Sequence, residues 1–269
     1  MNKIPLGKDV GYPQEYAPDV LFAVPRSEGR QTLDLAKQLP FTGKDVWNAW
    51  ELSWLDGRGQ PVVAVVTLVF DAASPNIVES KSLKLYLGSF AMSRVETEAE
   101  LVRTIADDLS AVSGSTVSVA VHPGADSGFG EIGTMPGTCV DDLAMSRWRD
   151  DVDADLLAAS GETTTGSFHS HLLRSLCPVT AQPDTGTVMI HYRGPRIDPV
   201  SFLEYVVSYR QHQDFHEACV ERMFLDIKRI CAPEALTVYA RYTRRGGIDI
   251  NPFRSDFEDE PANLRLWRQ

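Results

Sequence analysis

From Val46 onward the hydrophobic positions alternate between two periods, and the order of that alternation occurs twice along the chain. Val46 to Leu55, with Trp47, Trp50 and Trp54, is aromatic-rich, and Pro61 to Phe70 (PVVAVVTLVF) is β-branched; both predict strands. Asp56-Gly57-Arg58-Gly59 between them predicts a hairpin turn. Glu79 to Phe90 then puts Leu83, Leu87 and Phe90 at helical spacing. A second helix follows, with Leu101, Ile105 and Leu109 as its buried stripe and Ser93 and Glu96 at capping-box spacing. Thr116 to Val121 returns to strand.

The second half runs in the same order. Thr163 to Leu172 and Thr187 to Tyr192 predict strands. Asp198-Pro199 offers a capping carboxylate followed by proline at the first helical position, and Phe202, Val206 and Tyr209 line that helix. Asp214 and Glu217 have the spacing of a capping-box variant and open a helix that buries Val220, Phe224, Ile227 and Cys231 and ends at Pro233. Leu236 to Tyr242 is again strand. Two consecutive helices between strand pairs predict an α+β fold class, with antiparallel sheets and helices layered on one face. Strict βαβ alternation and GxGxxG are absent, which excludes a Rossmann fold and a P-loop. The residues before Val46 have no sustained period and are rich in Pro, Gly and charge. They are expected to form an extended arm. The expected organisation is therefore an arm over 1–45, a first module over 46–145 and a second over 146–269.

Charge narrows the function. The 269 residues carry 26 Lys and Arg against 37 Asp and Glu, a net charge of −11. Such a chain lacks the basic footprint of a phosphate-backbone binder, so no direct nucleic-acid partner is expected. The longest strongly apolar stretch, Pro61 to Phe70, is too short to span a bilayer, so no membrane partner is expected. Met1 to Asp9 contains no apolar signal region, and the expected location is cytoplasmic. The 4 cysteines form no CxxC pair and no disulfide scaffold. His169 and His171 would share one face of a strand, but no third ligand is evident near them in sequence. They read as sheet-surface histidines, and no metal is expected.

Cys177 stands apart in the run Ser-Leu-Cys177-Pro-Val-Thr-Ala-Gln-Pro183-Asp184. A thiol between prolines, followed by a carboxylate, suits a nucleophile held in a loop; the ordinary alternative is a small buried apolar residue. Cys139, Cys219 and Cys231 take that ordinary reading. Asp184 is either a turn aspartate bonding its own backbone or a general acid near the thiol. Glu217, after His216, and Glu79 both stand at helix starts. There a carboxylate can cap the first turn or accept two parallel hydrogen bonds from a planar N–H/NH2 edge such as that of a guanine-like base. Lysines of Glu79-Ser80-Lys81-Ser82-Leu83-Lys84-Leu85-Tyr86, and the turn Arg244-Arg245-Gly246-Gly247, could hold cofactor phosphates or could be solvated surface.

Taken together these segments resemble the NADPH-dependent 7-cyano-7-deazaguanine reductases, the nitrile reductases of queuosine biosynthesis. The resemblance rests on Glu79-Ser80-Lys81-Ser82-Leu83-Lys84-Leu85-Tyr86, Cys177-Pro178-Val179-Thr180 with Gln182-Pro183-Asp184, Phe215-His216-Glu217, and Arg244-Arg245-Gly246-Gly247-Ile248-Asp249-Ile250-Asn251-Pro252. It spans about Gly7 to Arg254, in the order of the long, two-module form. It implies tandem tunnelling-fold (T-fold) modules, a homodimer and no metal. It further implies that Cys177 attacks the nitrile carbon of the bound base to form a covalent thioimide, and that Asp184 supplies protons. NADPH delivers two hydrides in turn, giving the aminomethyl product. Val78, Glu79, Ser80, His216 and Glu217 are the implied substrate-binding residues, and Ser80, Lys81, Arg245 and Gly246 the implied cofactor-binding ones. Because these come from both halves, the resemblance implies a site to which both contribute. The rival readings are a purine or pterin enzyme of cyclohydrolase type on the same fold, and a non-catalytic purine-binding module. The lack of an evident zinc ligand set counts against the first.

Overall fold

The computed structural model describes residues 11–33, 35, 38–124 and 131–269. The chain divides into two compact units. Unit one comprises the described residues of Met1–Ala36, Asp45–Glu131 and Arg244–Asp249; unit two comprises those of Lys37–Lys44, Ile132–Thr243 and Ile250–Gln269. The division differs from the expected boundaries in two ways: its main break falls after Glu131 rather than at 145, and two strands change membership part-way along, one at residue 45 and the other at residue 250. A periodicity reading sees each strand as one element and cannot see that switch.

Unit one contains β1 (Ala23–Pro25), α1 (Arg26–Arg30), most of β2 (Thr42–Leu55), β3 (Pro61–Asp71), β4 (Asn76–Val78), α2 (Ser80–Gly88), α3 (Glu98–Ser113) and β5 (Ser118–Pro123). Its sheet runs β5-β3-β2, and β3 pairs antiparallel with β5. The turn between β2 and β3 is the expected one: Asp56 accepts the backbone N–H groups of Arg58 and Gln60 on one carboxylate oxygen, both at 2.9 Å. Leu101, Ile105 and Leu109 form the buried stripe of α3 as expected. Its cap is Thr97 rather than Ser93: Thr97 Oγ1 accepts from the Glu100 N–H, and Glu100 reaches back to the Glu96 N–H. Ser93 instead donates to the Ser89 carbonyl.

The described part of the arm up to residue 35 is built into this unit, whereas residues 38–44 belong to unit two. β1 pairs antiparallel with β4, and Arg26 is buried in an ion pair with Asp45 at 2.6 Å while its Nε donates to Ser74 Oγ. The lack of a sustained period hid this, because a three-residue strand and a five-residue helix are too short to show one. Residues 1–10, 34, 36 and 37 of the expected arm lie outside the described residues.

Unit two contains β6 (Thr138–Cys139), β7 (Ala159–Leu176), β8 (Pro183–Ile197), α4 (Pro199–Ser208), α5 (His216–Cys231), β9 (Ala235–Tyr242) and most of β10 (Ile248–Ser255). The strands run β10-β9-β8-β7-β6, antiparallel except for β6 on β7. Asp198 caps α4 through the Val200 N–H, with Pro199 at the first helical position, as the sequence predicts. α4 packs on β7 and α5 on β9. Strand pairs flanking two consecutive helices, on antiparallel sheets, are the α+β order expected of the tunnelling fold. No helix among the described residues is long and apolar enough to cross a membrane.

Candidate active site

In unit two, β7 ends at Leu176 and β8 begins at Pro183, so Cys177 opens a six-residue connection closed by its own backbone. The Cys177 N–H donates to the Gln182 carbonyl and the Ala181 N–H to the Cys177 carbonyl, both at 2.9 Å, with Ala181 in the left-handed region at φ 55°. A non-glycine residue there carries a strain of order 1 kcal/mol, so the loop is fixed rather than merely tolerated. The segment leading to α5 clamps the same strand end. The Leu176 N–H donates to the His212 carbonyl at 2.8 Å, and the Asp214 N–H to the Leu176 carbonyl at 3.1 Å. The start of α5 is thereby delivered beside the residue preceding the thiol.

Asp184 is not a turn residue. It is the second residue of β8, paired with Ser175 and buried, and its Oδ1 lies 3.5 Å from His216 Nε2. The His216 ring is held between that carboxylate and Tyr242, whose ring centroid is 4.0 Å away. Burial pushes the Tyr242 phenol well above its usual pKa, which leaves it a neutral wall. Glu217, the next residue, is 5% exposed. The expected pairing of Asp214 with Glu217 as a cap does not form: Phe215 occupies the cap position, no side chain caps the first turn, and Asp214 accepts from the Phe215 N–H. Glu217 is turned inward. Unit two thus gathers a thiol, a carboxylate–imidazole pair and a buried glutamate around one strand end. That set can attack an electrophilic carbon, move a proton to the atom beside it, and accept N–H donors.

Cys219 and Cys231 follow the ordinary reading. Both are buried in α5; burial pushes the Cys219 thiol up, and that of Cys231 up to about 11.

Unit one holds the other expected residues. Val78 ends β4 and is buried. Glu79 caps α2: Oε1 accepts the Lys81 N–H and Oε2 the Ser82 N–H, both at 2.8 Å, and its side chain is buried. A cap of this kind contributes about 0.5–2 kcal/mol, so Glu79 has a structural duty whatever else it reads. Ser80 and Lys81 form the first turn of α2 and are partly exposed. The Arg244–Asp249 segment lies against the same helix. Arg245 and Ile248 exchange backbone hydrogen bonds across Gly246 (φ 57°) and Gly247 (φ 79°), a tight turn with two consecutive left-handed residues. Glycine at 246 suits the left-handed turn, and the Lys84 side chain lies against it, within 3.2 Å of where a Cβ would be. Arg244 stacks over Trp50 at 5.0 Å, and the base of the turn is anchored by Asp249, which accepts from Asn48 Nδ2 at 2.9 Å and from Trp50 Nε1. Lys84 lies against Gly246 and the Glu51 carboxylate against Gly247, with Lys81 one helical turn before Lys84 and Arg244 and Arg245 in the turn itself. This donor set suits the phosphates of a dinucleotide.

If these residues hold such a cofactor, Arg245→Ala removes one charge-assisted contact worth about 1.5–3 kcal/mol, a rise in cofactor KM of about 10- to 100-fold with kcat nearly kept. Steady-state kinetics decides; an unchanged cofactor KM would contradict the assignment.

Sequence comparison supplies the family. One family profile, described as "Nitrile reductase, 7-cyano-7-deazaguanine-reductase N-term", matches residues 12–121, and a second, "QueF-like protein", matches residues 183–261. An NADPH-dependent 7-cyano-7-deazaguanine reductase of Desulfotalea psychrophila is 48% identical over 271 residues, 99% of this chain and 97% of that protein. This chain belongs to the 7-cyano-7-deazaguanine reductase family. Reductases of the same name from Paraburkholderia phymatum and Bordetella pertussis are also 48% identical, over 270 residues (98% of each chain) and 274 residues (100% of this chain and 99% of the other). The first family match contains Val78, Glu79, Ser80 and Lys81, and the second contains Asp184, His216, Glu217, Arg245 and Gly246. Cys177 falls between them, within the span of the full-length reductases. A crystal structure of the archaeosine synthase QueF-Like in the apo form aligns with 38% of this chain and 99% of its own, at 19% identity and a TM-score of 0.32, too low to bear on the fold.

Sequence reasoning missed three neighbours within these reductase units. Tyr242 against His216 and Lys84 against Gly246 join residues far apart in sequence, although Lys84 had a signal in its position one helical turn beyond Lys81. The third is a group consisting of Cys139, His169 and His171, each with a ligand atom within 4.8 Å of the others. Cys139 is exposed, not buried as expected, and is the third ligand that seemed absent. The ground against a zinc-using cyclohydrolase therefore weakens, and membership of the reductase family replaces it.

Proposed function

We propose that this protein reduces the nitrile of 7-cyano-7-deazaguanine to the aminomethyl group with NADPH, in queuosine biosynthesis. The observation that carries the reading is the buried Cys177 at the mouth of a backbone-closed loop, with the Asp184–His216 pair at the loop's base, in a chain 48% identical to reductases of that name.

A nitrile is a poor hydride acceptor, and covalent addition divides a hard step into easier ones. The Cys177 sulfur, as thiolate, forms a C–S bond to the nitrile carbon. Asp184, with His216 beside it, gives the proton that the nitrile nitrogen takes up, yielding a neutral thioimide. Glu217 accepts the paired N–H groups of the pyrimidine edge and fixes the ring, and His216 packs against it; Val78, Glu79 and Ser80 are the further substrate-binding residues that the family resemblance implies. Ser80, Lys81, Arg245 and Gly246 hold NADPH, supported by the Gly246 turn against Lys84. When bound, NADPH supplies two hydrides per nitrile. Cys177 leaves as thiolate once its carbon has reached the imine level; Asp184, reprotonated from solvent, gives a second proton to the nitrogen as the imine becomes the amine, and a further solvent proton returns it to its starting state, so each nitrile takes up two hydrides and two protons. The proposal includes the homodimer that the family resemblance implies and the cytoplasmic location expected from the sequence.

The test is stoichiometry. Purified protein with 7-cyano-7-deazaguanine should oxidise two NADPH per aminomethyl product formed. No oxidation with bound substrate would overturn the reading. Ring opening without oxidation would favour the cyclohydrolase alternative, and binding without any turnover the purine-binding module.

A further inference from the structure

Unit two carries a second chemical cluster that nitrile reduction does not use. β6 runs parallel to β7 with Cys139 opposite His169. The two-residue period of β7 puts His171 on the same face, and the imidazole centroids are 5.2 Å apart. The three side chains offer ligand atoms within 4.8 Å of one another.

Each imidazole is oriented from behind. His169 Nδ1 is 3.0 Å from the Pro136 carbonyl, which can only accept. Nδ1 therefore carries the proton, and the lone pair is on Nε2. His171 Nδ1 is 2.8 Å from Thr187 Oγ1, a hydroxyl able to accept its N–H, and in that tautomer the lone pair is on Nε2. Outer-shell acceptors on Nδ1 are the usual support of histidine metal ligands. Asp141 fixes the strand between them, accepting from Ser170 Oγ at 2.6 Å and from the His171 N–H at 3.0 Å. Its charge also offsets the Arg268 guanidinium, which donates to the His171 and Gly186 carbonyls. The approach of β6 itself depends on Gly137: at φ 85°, a Cβ there would lie 2.5 Å from the Ser167 carbonyl oxygen.

We propose that Cys139, His169 and His171 bind Zn²⁺ with one position left for water. One thiolate and two imidazoles suit zinc, and a tetrahedral centre would space its ligand atoms at about 3.3–3.6 Å, a small contraction that the exposed Cys139 side chain can supply. Binding forms a Zn–S bond as the thiol proton passes to solvent, with no change of oxidation state. The ion pins β6, the two-residue edge strand, to β7. This site is independent of the reading of Cys177.

Untagged, metal-stripped full-length protein titrated with Zn²⁺ by calorimetry, and with Co²⁺ by absorbance, tests it. The expected result is one metal per chain, a thiolate-to-cobalt charge-transfer band, and protection of Cys139 from alkylation by Zn²⁺. Cys139→Ser should remove the band, and both Cys139→Ser and His171→Ala should weaken Zn²⁺ binding about tenfold or more while leaving nitrile reduction intact. Trp267, 6.2 Å from the His171 ring, should report Co²⁺ by quenching that is reduced in Trp267→Phe. Absence of binding by the folded wild-type protein would overturn the proposal. So would a charge-transfer band undiminished in Cys139→Ser, which would assign the metal to another thiol.

Discussion

Cys177→Ala is expected to reduce nitrile turnover by on the order of 10⁴-fold or more, the scale seen when a covalent nucleophile is removed. The variant should fold normally. The loop is held by backbone hydrogen bonds between Cys177 and Gln182 and between Ala181 and Cys177, and by the Leu176 contacts to residues 212 and 214, none of which uses the sulfur. Loss of one buried sulfur atom costs about 1 kcal/mol, small against a stability of about 5–15 kcal/mol. The readouts therefore separate. Substrate affinity by calorimetry should be nearly kept, because Glu217 and His216 remain. Turnover and the substrate-dependent absorbance change of the thioimide should both vanish. A Cys177→Ala enzyme working at even a tenth of the wild-type rate would refute covalent catalysis while leaving the family assignment standing.

Arg254→Met should cost about 3–5 kcal/mol of unit-two stability. Arg254 is fully buried on β10. Its Nε and Nη2 donate to one oxygen of Glu221 at 3.0 and 2.9 Å, its Nη1 donates to the Phe253 carbonyl, and the guanidinium lies 5.6 Å from the Phe41 ring centroid. Removing the cation leaves a buried carboxylate on α5 without its strongest partner, which is the expensive way to break such a pair. Replacing both partners with apolar residues, Arg254→Met with Glu221→Leu, should recover most of the loss. Urea unfolding followed by the near-ultraviolet signal decides between them. A loss below about 1 kcal/mol for the single variant would show that water reaches Glu221 and that the pair is not a buried one.

Much of this was legible in the chain. The strands, the two helix pairs and the Asp198-Pro199 start depend on local pattern, and the segments carrying Cys177, Asp184, His216 and Glu217 could be picked out one by one. What could not be read was register and packing. For Asp184 the sequence leaves a turn role and a general-acid role open, and only the pairing of Asp184 with Ser175 in β8 removes the first. For Glu217 the sequence leaves a cap and a base-reading carboxylate open; Phe215 takes the cap position, and the Glu217 side chain is buried. The Thr97 cap was displaced by four residues because both Ser93 and Thr97 have a glutamate three positions on. Cys139 and His169 are thirty residues apart and meet only through a parallel pairing two residues long, too short to leave a periodic trace.

The switch of strand membership at residues 45 and 250 bears on how the gene can be cut. A fragment stopping at Glu131 would encode α2 and its lysines but not the Gly246 turn that Lys84 packs against, nor the Asp249 that Asn48 and Trp50 bind. A fragment starting at Ile132 would encode Arg254 and Glu221 but not the Phe41 ring beside them. Although the elements read as a tandem repeat, neither half of the coding sequence specifies a complete unit, so the two modules cannot be inherited, expressed or exchanged separately without each taking a short piece of the other.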